Sequence, residues 1–436
     1  MDEYTKKSPP VVLIEPNSRQ KSRHLAKIML KGEVKFNQRE IKRRIKKIRR
    51  YSQENMNVLS HKFSRNVSQY KDAHIVFAND ATEAVDYINH VVQDIKVVAV
   101  GKSSTVDELL PVLEKGCYRL IDSYSSQFIL PDGIQKRINY PWQFQSTFNR
   151  SAWDTFEYSR STDQKDLSGH GLKDIVALLG VNAASADDGS LFLLQHSNNI
   201  GTMLRQARKL VFVVGLEKIV ENSSDALFQT KCAGAFGMES ILLDLKVGDT
   251  DKEKRVIDPL SEVPEVAASS QELHIVLLDN GRTNIAVGDY KELLQCIACG
   301  ACSKQCPGYR YLKEFSRYPK DYLWSFLIGY NPSIELCSNC VMCEVECPVD
   351  INLSKLIAKA RAEYATGITH FWRTRLISNV GRFALIGSLI PSLFNWFSRR
   401  KMFRLLVERV AGIDRRRKVP AFNRETFEQW FRSRHV

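Results

Sequence analysis

Eight of the ten cysteines fall in two short runs that share one spacing, C-x-x-C-x-x-C-x-x-x-C-P. The first supplies Cys296, Cys299, Cys302 and Cys306 ahead of Pro307; the second supplies Cys337, Cys340, Cys343 and Cys347 ahead of Pro348. Two residues between thiols let a short turn aim three sulfurs at three corners of a cube. A fourth thiolate must come from elsewhere. In two-cluster ferredoxin-type arrangements it comes from the other motif. On that pattern Cys296, Cys299, Cys302 and Cys347 hold one [4Fe–4S] cluster, and Cys337, Cys340, Cys343 and Cys306 hold the second. Zinc also uses paired C-x-x-C hooks, but has no need of a third cysteine at the same interval. Ala298, Gly300 and Ala301 leave room for a cluster and let backbone N–H groups approach its sulfides, which helps to set its potential. Pro307 and Pro348 lack N–H groups and stiffen the exit of each turn. Cys117 and Cys232 stand singly and read as small core residues.

The elements that position these loops follow from the apolar pattern. From about His74, short β-branched runs alternate with helical ones. "HIVFA", "KVVAVG", "YRLID", "SLFLLQ", "KLVFVVG", "ESILLDL" and "ELHIVLLDN" read as strands. Asp80 caps the helix "ATEAVDYINHVVQDI"; "VDELLPVLEKG" and "LKDIVALLGV" read as further helices. Nearly continuous apolar strands between helices imply a largely parallel sheet covered on its faces. No strand is followed by G-x-G-x-x-G, and no G-x-x-x-x-G-K-[ST] occurs, so the usual phosphate cradles are missing. The loop Gly101-Lys102-Ser103-Ser104-Thr105 could take an anion at a helix N-terminus or simply cap that helix. After Gly281 the strand pattern stops. "YLKEFSRYPKDYLWSFLIGY" and "LSKLIAKARAEYATG" read as the helices that separate and follow the cysteine motifs.

Charge is unevenly placed on this +14 chain. Residues 1–50 carry +11 and residues 371–436 carry +11, which leaves −8 for the middle. Two basic ends flank a mildly acidic body, an arrangement that argues against a nucleic-acid-binding domain and suits anionic lipid or an acidic partner subunit. "EIKRRIKKIRRY" places Ile41, Ile45 and Ile48 on one face of a basic amphipathic helix, for packing on the body or for docking. The opening residues show no apolar leader. The longest apolar run, Phe383–Phe397, is short of the roughly 18 to 20 residues that span a bilayer. The expectation is a cytoplasmic protein, with peripheral contact on the inner face of the cell membrane left open.

The helical stretch between the two motifs resembles the α-helical ferredoxin domain of succinate dehydrogenase and heterodisulfide reductase type carriers. "ELHIVLLDNGRTNIAVGDYKELLQCIACGACSKQCPGY" resembles the junction in the lactate utilization protein B family, and "ADDGSLFLLQHSNN", "KLVFVVGLEKIV" and "VGKSSTVDEL" are similar to that family's LUD core. The resemblance covers roughly residues 60 to 436. It implies an α/β LUD domain of the NagB/RpiA/CoA-transferase-like type followed by an α-helical two-cluster ferredoxin domain. The layout is a basic helical N-terminal arm (1–60), a LUD domain (61–285), the ferredoxin domain (286–365) and a basic helical C-terminal extension (366–436). It also implies a CCG-domain cysteine-rich partner, a second LUD protein, and a flavoprotein or quinone as acceptor. Where the family reads N-E-G-N, this chain has His196-Ser197-Asn198-Asn199, so no catalytic carboxylate carries over. His196 reads as a ligand-facing base or as a satisfied polar residue at a strand end. Asp187 and Asp188 read as a carboxylate pair or, more simply, as a turn before Gly189.

The functional expectation is an iron–sulfur electron-transfer subunit of an L-lactate or related 2-hydroxyacid oxidation complex, without a catalytic residue of its own. Two alternatives stand beside it. One is a carrier for a flavin dehydrogenase or heterodisulfide-reductase-like assembly; the other is a LUD small-molecule-binding module whose clusters are structural or regulatory.

Overall fold

The computed structural model describes residues 8–16, 38–122 (save 94, 96, 102 and 117), 175–194, 199–237, 260–263, 271–311, 319–329, 334, 337–364, 375, 378–417 (save 412), 421–425 and 427–434. They fall into two compact units, Met1–Ile357 and Ala358–Val436. His196, Ser197, Asn198, Cys117, Lys102 and the run "ESILLDL" lie outside the described residues.

The first unit begins with strand β1 (Val11–Pro16) and helices α1 (Gln38–Glu54) and α2 (Met56–Val67). Then come β2 (Ala73–Ala78), α3 (Ala81–Val92), β3 (Val97–Val100), two short helical turns and β4 (Arg119–Asp122). Further along are β5 (Ile175–Gly180), β6 (Ala183–Ser185), β7 (Leu191–Leu194), β8 (Lys209–Gly215), β9 (Ile219–Val220), α4 (Ser223–Phe236), β10 (Leu260–Val263) and β11 (Glu272–Leu278). Six strands form one wholly parallel sheet in the order β2-β11-β8-β5-β3-β4. The other five form a mixed sheet in the order β10-β1-β7-β6-β9.

The core explains the sheet. Val85, Ile88 and Val92 of α3 pack on Val98, Val100, Val176, Leu178, Val211, Val213, Val276 and Leu278, drawn from four adjacent strands. The helix starts where Asp80 accepts N–H bonds from Thr82 and Glu83 at 2.8 and 2.9 Å, as its sequence suggests. The run "LKDIVALLGV" is a correction. Its residues 175–180 form strand β5, flanked by β3 and β8, and every one from Ile175 to Leu179 is buried. A short run apolar on every side fits a two-face-buried strand as well as a helix, and periodicity cannot separate the two.

Residues 1–60 also depart from a purely helical arm. Val11–Pro16 pairs in parallel with β7 and antiparallel with β10. On α1, Ile45, Ile48 and Arg49 are buried, so the isoleucine stripe lies on the body. The Asp187–Asp188–Gly189 stretch is the turn its composition suggests. Gly189 takes φ +73°, and the Asp188 carbonyl accepts from Tyr70 Oη at 2.7 Å. Ser103 caps the helical turn Ser104–Asp107 through the Thr105 N–H at 3.3 Å.

Past β11 come α5 (Arg282–Val287), the first cysteine loop, α6 (Pro319–Leu327), the second loop and α7 (Leu353–Tyr364). The second unit contains α8 (Val380–Leu389), α9 (Pro391–Ser398) and α10 (Lys401–Ala411). Among the described residues no single helix is long and apolar enough to cross a membrane; α8 and α9 reach that length only together and are bent by 117°.

Candidate functional site

The two cysteine loops share a backbone device. Ala298 and Gly300 have φ +55° and +73°, and the equivalent residues of the second loop, Asn339 and Val341, have φ +53° and +67°. Alternate left-handed residues curl the chain so that successive thiols face inward. For a β-branched residue such as Val341 this conformation is strained, which marks a loop shaped by what it encloses.

The structure brings cysteines of both motifs together. Cys296, Cys299, Cys302 and Cys347 line one hollow, shared with Lys320 and Ile351. Cys347 thus leaves its own motif to join the first. Cys306 looks the other way: the cysteines that act electrostatically on its thiol are Cys337 and Cys340 of the second motif. Cys343 likewise feels Cys337, Cys306 and Cys340. Among the described residues no three His, Cys, Asp or Glu side chains converge closely enough for one metal ion. Four thiols spaced around a hollow suit a polynuclear group, whose ligands stand farther apart than those of a single ion.

Backbone N–H groups turn toward the sulfurs. Ala298 donates to Cys296 Sγ at 3.3 Å and Ile351 to Cys347 Sγ at 3.4 Å. Ala301 donates to Cys299, Lys320 to Cys302, and both Gly308 and Tyr309 to Cys306. Burial, reinforced by Cys296 next door, pushes the Cys299 thiol up to about 12. Burial also pushes Cys343 up to about 12 and Cys347 up to about 11. Such thiols stay protonated unless a cation compensates them, which is what an iron–sulfur core supplies. The donor set fits the group.

Buried cations surround the first hollow. Arg49 donates to the carbonyls of Leu294 at 2.6 Å and Gln295 at 3.2 Å, the two residues before Cys296, and to Gln229 Oε1 at 3.0 Å and the Glu217 carbonyl. Burial lowers its pKa to about 10, against the pull of Glu217 and Cys296. Lys218 is buried and its pKa is lowered by that burial. Lys320 lies 5.0 Å from the Trp324 ring and 3.1 Å from Asp321; burial opposes its charge, but Asp321 and Cys296 prevail and its pKa is raised.

Behind them lies an ionic knot at the C-terminal ends of β8 and β11. Arg282 holds Glu108 bidentately at 3.0 and 2.8 Å and Glu217 through Nε, with its guanidinium 4.6 Å over Trp324. Asn280 donates to Glu108 at 2.8 Å. Gly215 is required here, since a Cβ would fall 2.3 Å from the Glu217 carboxylate and 2.8 Å from Arg282 Nε. The C-terminal edge of a parallel sheet is where open α/β folds place their ligands; this chain fills that place with its own arginine.

The sequence reading missed Arg49, Glu108, Glu217, Lys218, Arg282 and Lys320. A signal existed for Arg49, which falls in register with Ile45 and Ile48 at i, i+3, i+4 and so faces the core with them. Arg282 closes the "LLDNGR" junction. Nothing local marks the other four; the partners of Glu108 and Glu217 lie far along the chain.

Fold and loops together define an iron–sulfur protein in which an α/β domain precedes a ferredoxin-type one. Residues 60–278 match the LUD domain, and residues 292–351 match the 4Fe-4S dicluster domain. The chain belongs to the LUD domain family. It is similar to lactate utilization protein B of Geobacillus thermodenitrificans, 27% identical over 434 residues (89% of this chain, 87% of that one). The protein of the same name from Bacillus cereus is 25% identical over 429 residues (88% and 86%), and that from Geobacillus kaustophilus 28% over 349 residues (72% and 69%). No solved structure matches.

Proposed function

We propose that the chain is the electron-transfer subunit of an L-lactate or related 2-hydroxyacid oxidation complex, carrying two [4Fe–4S] clusters on crossed cysteine sets. Cys296, Cys299, Cys302 and Cys347 hold one, and Cys337, Cys340, Cys343 and Cys306 the other. The observation that carries this reading is the grouping of Cys347 with the first motif around one hollow. When bound, each cluster supplies a one-electron carrier, so that a pair can accept the two electrons of an alcohol oxidation in turn. The protein's own share is to fix the thiolates, donate N–H groups to them, exclude water from the buried set and place cations beside it. Residues 338–342, Cys340 among them, are exposed, whereas Ile297, Gly300, Ala301 and Cys302 are buried, which makes the second loop the more open to a partner.

The names of the relatives support lactate as the ultimate donor. The substrate chemistry is assigned to a CCG-domain partner, with a second LUD protein alongside. A quinone or flavoprotein then takes the electrons. The test is anaerobic co-purification with co-encoded subunits, then EPR after adding lactate. The reading requires about eight iron and eight labile sulfide per chain and signals that grow with lactate. Zinc without sulfide overturns the clusters. Clusters reduced only by a flavin dehydrogenase, never by lactate, would transfer the carrier to that client.

A further inference from the structure

The C-terminal unit exposes apolar surface in a pattern that a protein groove does not match. On α8, Val380, Phe383, Leu385, Ile386 and Leu389 are all exposed, Leu389 by 76%. At about 100° per residue they span about 220° of the circumference, wider than a single stripe. The helix buries only Gly387, where a Cβ would stand 2.5 Å from the Phe422 ring. Phe422 is fixed in turn by α9, since Asn395 donates to its carbonyl at 2.9 Å and accepts its N–H at 2.8 Å. The hairpin is therefore built, with Leu393, Trp396 and Phe397 exposed on its second arm. Arg400 lies 4.3 Å over the Trp396 ring.

The third helix has a different design. On α10, Met402, Leu405 and Leu406 share one exposed face, with Arg409 among them, Lys401 at its edge and Arg404 beyond that edge. Residues 371–436 together carry +11.

We infer that this unit is a monotopic anchor for an anionic membrane surface. A partner groove takes one i, i+3, i+4, i+7 stripe, whereas an exposed apolar arc wider than half the helix suits hydrocarbon. The 117° bend lets the α8–α9 hairpin enter one leaflet as a wedge, without crossing it. A basic amphipathic helix lies in the plane of the interface with its cations at the headgroups. Trp396, with Arg400 stacked on it, sits at that boundary, the usual level for tryptophan.

The test floats the intact, anaerobically purified protein with vesicles of phosphatidylcholine alone or mixed with phosphatidylglycerol, at low and high salt. The wild type rises with the anionic vesicles, and rises less at high salt. Leu389→Asp weakens binding by more than about tenfold, and the pair Arg399→Glu with Arg400→Glu by at least about thirtyfold on anionic vesicles. Both variants must keep wild-type iron content and circular dichroism. Brominated lipid quenches tryptophan emission in the wild type and less in Trp396→Phe. The inference is overturned if the wild type stays at the bottom of the gradient at low salt, or if these folded variants float as it does. It is overturned equally if a co-purifying subunit covers Leu389 and abolishes flotation.

Discussion

Arg282→Met tests the ionic knot beneath the cluster domain. The arginine is fully buried, and its two carboxylate partners, Glu108 and Glu217, are 4% and 5% exposed. Removing one member of a buried, hydrogen-bonded ion pair leaves a charge that neither water nor protein compensates, at a cost of about 3–5 kcal/mol. Lys218 and Lys320 still act on Glu217, which places the expected loss near the lower end, about 3 kcal/mol. The pH dependence is more diagnostic than the size. Burial alone would raise the Glu217 carboxyl, but Arg282 overrides it and holds the group down to about 2. In the wild type that contribution is complete above the ordinary value of 4.5 and is lost as pH falls from there toward 2. In the variant burial prevails, the folded carboxyl titrates above its unfolded value, and stability is lost as pH rises through it. The deficit is therefore largest at neutral pH and shrinks toward pH 4.5. Urea unfolding followed by circular dichroism at pH 7 and pH 5 measures it, with the double variant Arg282→Met/Glu108→Gln recovering part of the loss. A deficit below about 1 kcal/mol at pH 7, or one that does not change with pH, refutes the argument.

Three further outcomes follow from single sites. Cys347→Ala and Cys296→Ala leave the same residual EPR spectrum and about half the iron, and Cys306→Ala pairs instead with Cys337→Ala; if Cys347→Ala grouped with Cys337→Ala, the crossing would be wrong. His274, half a sandwich with His74 at 4.9 Å and 2.9 Å from Tyr87 Oη, is held down to about 4 by burial and then by His74. Its folded value lies below 6.5, so stability falls as pH drops from 6.5 toward 4, by at most about 3 kcal/mol; His274→Gln removes that part of the slope in a thermal melt. Asp80→Ala costs about 1 kcal/mol by freeing the Thr82 and Glu83 N–H groups, while Asp80→Asn costs only a few tenths, measured by the same melts.

What could be read in the sequence depended on how far each residue's partners lie along the chain. The cysteine loops are local devices: spacing fixes which thiols face inward, and small residues at 298 and 300 admit the left-handed turns of the first loop. Asp80 is local too, since a cap needs only the next three residues. Strand β5 was illegible because burial on both faces erases the alternation that distinguishes a strand from a helix. Strand β1 was illegible because its pairing partners, β7 and β10, lie far along the chain. The charged shell follows the same logic with greater consequence. Arg49 meets the carbonyls of residues 294 and 295 across a sequence separation of 246, and Arg282 reaches back to Glu108 across 174. In one dimension each of these side chains resembles a solvated charge. Only the parallel sheet, by bringing the ends of β8 and β11 together under the first cysteine loop, turns them into a buried network. Three of its basic side chains, Arg49, Lys218 and Lys320, interact electrostatically with Cys296. On the proposed electron-transfer reading, an electron held beside that sulfur would be favoured over one held at the open second loop, and Lys320→Met should lower the potential of one cluster while leaving the other unchanged. A redox titration in which both clusters shifted together, or neither did, would show that the LUD sheet does not act electrostatically on the cluster it supports.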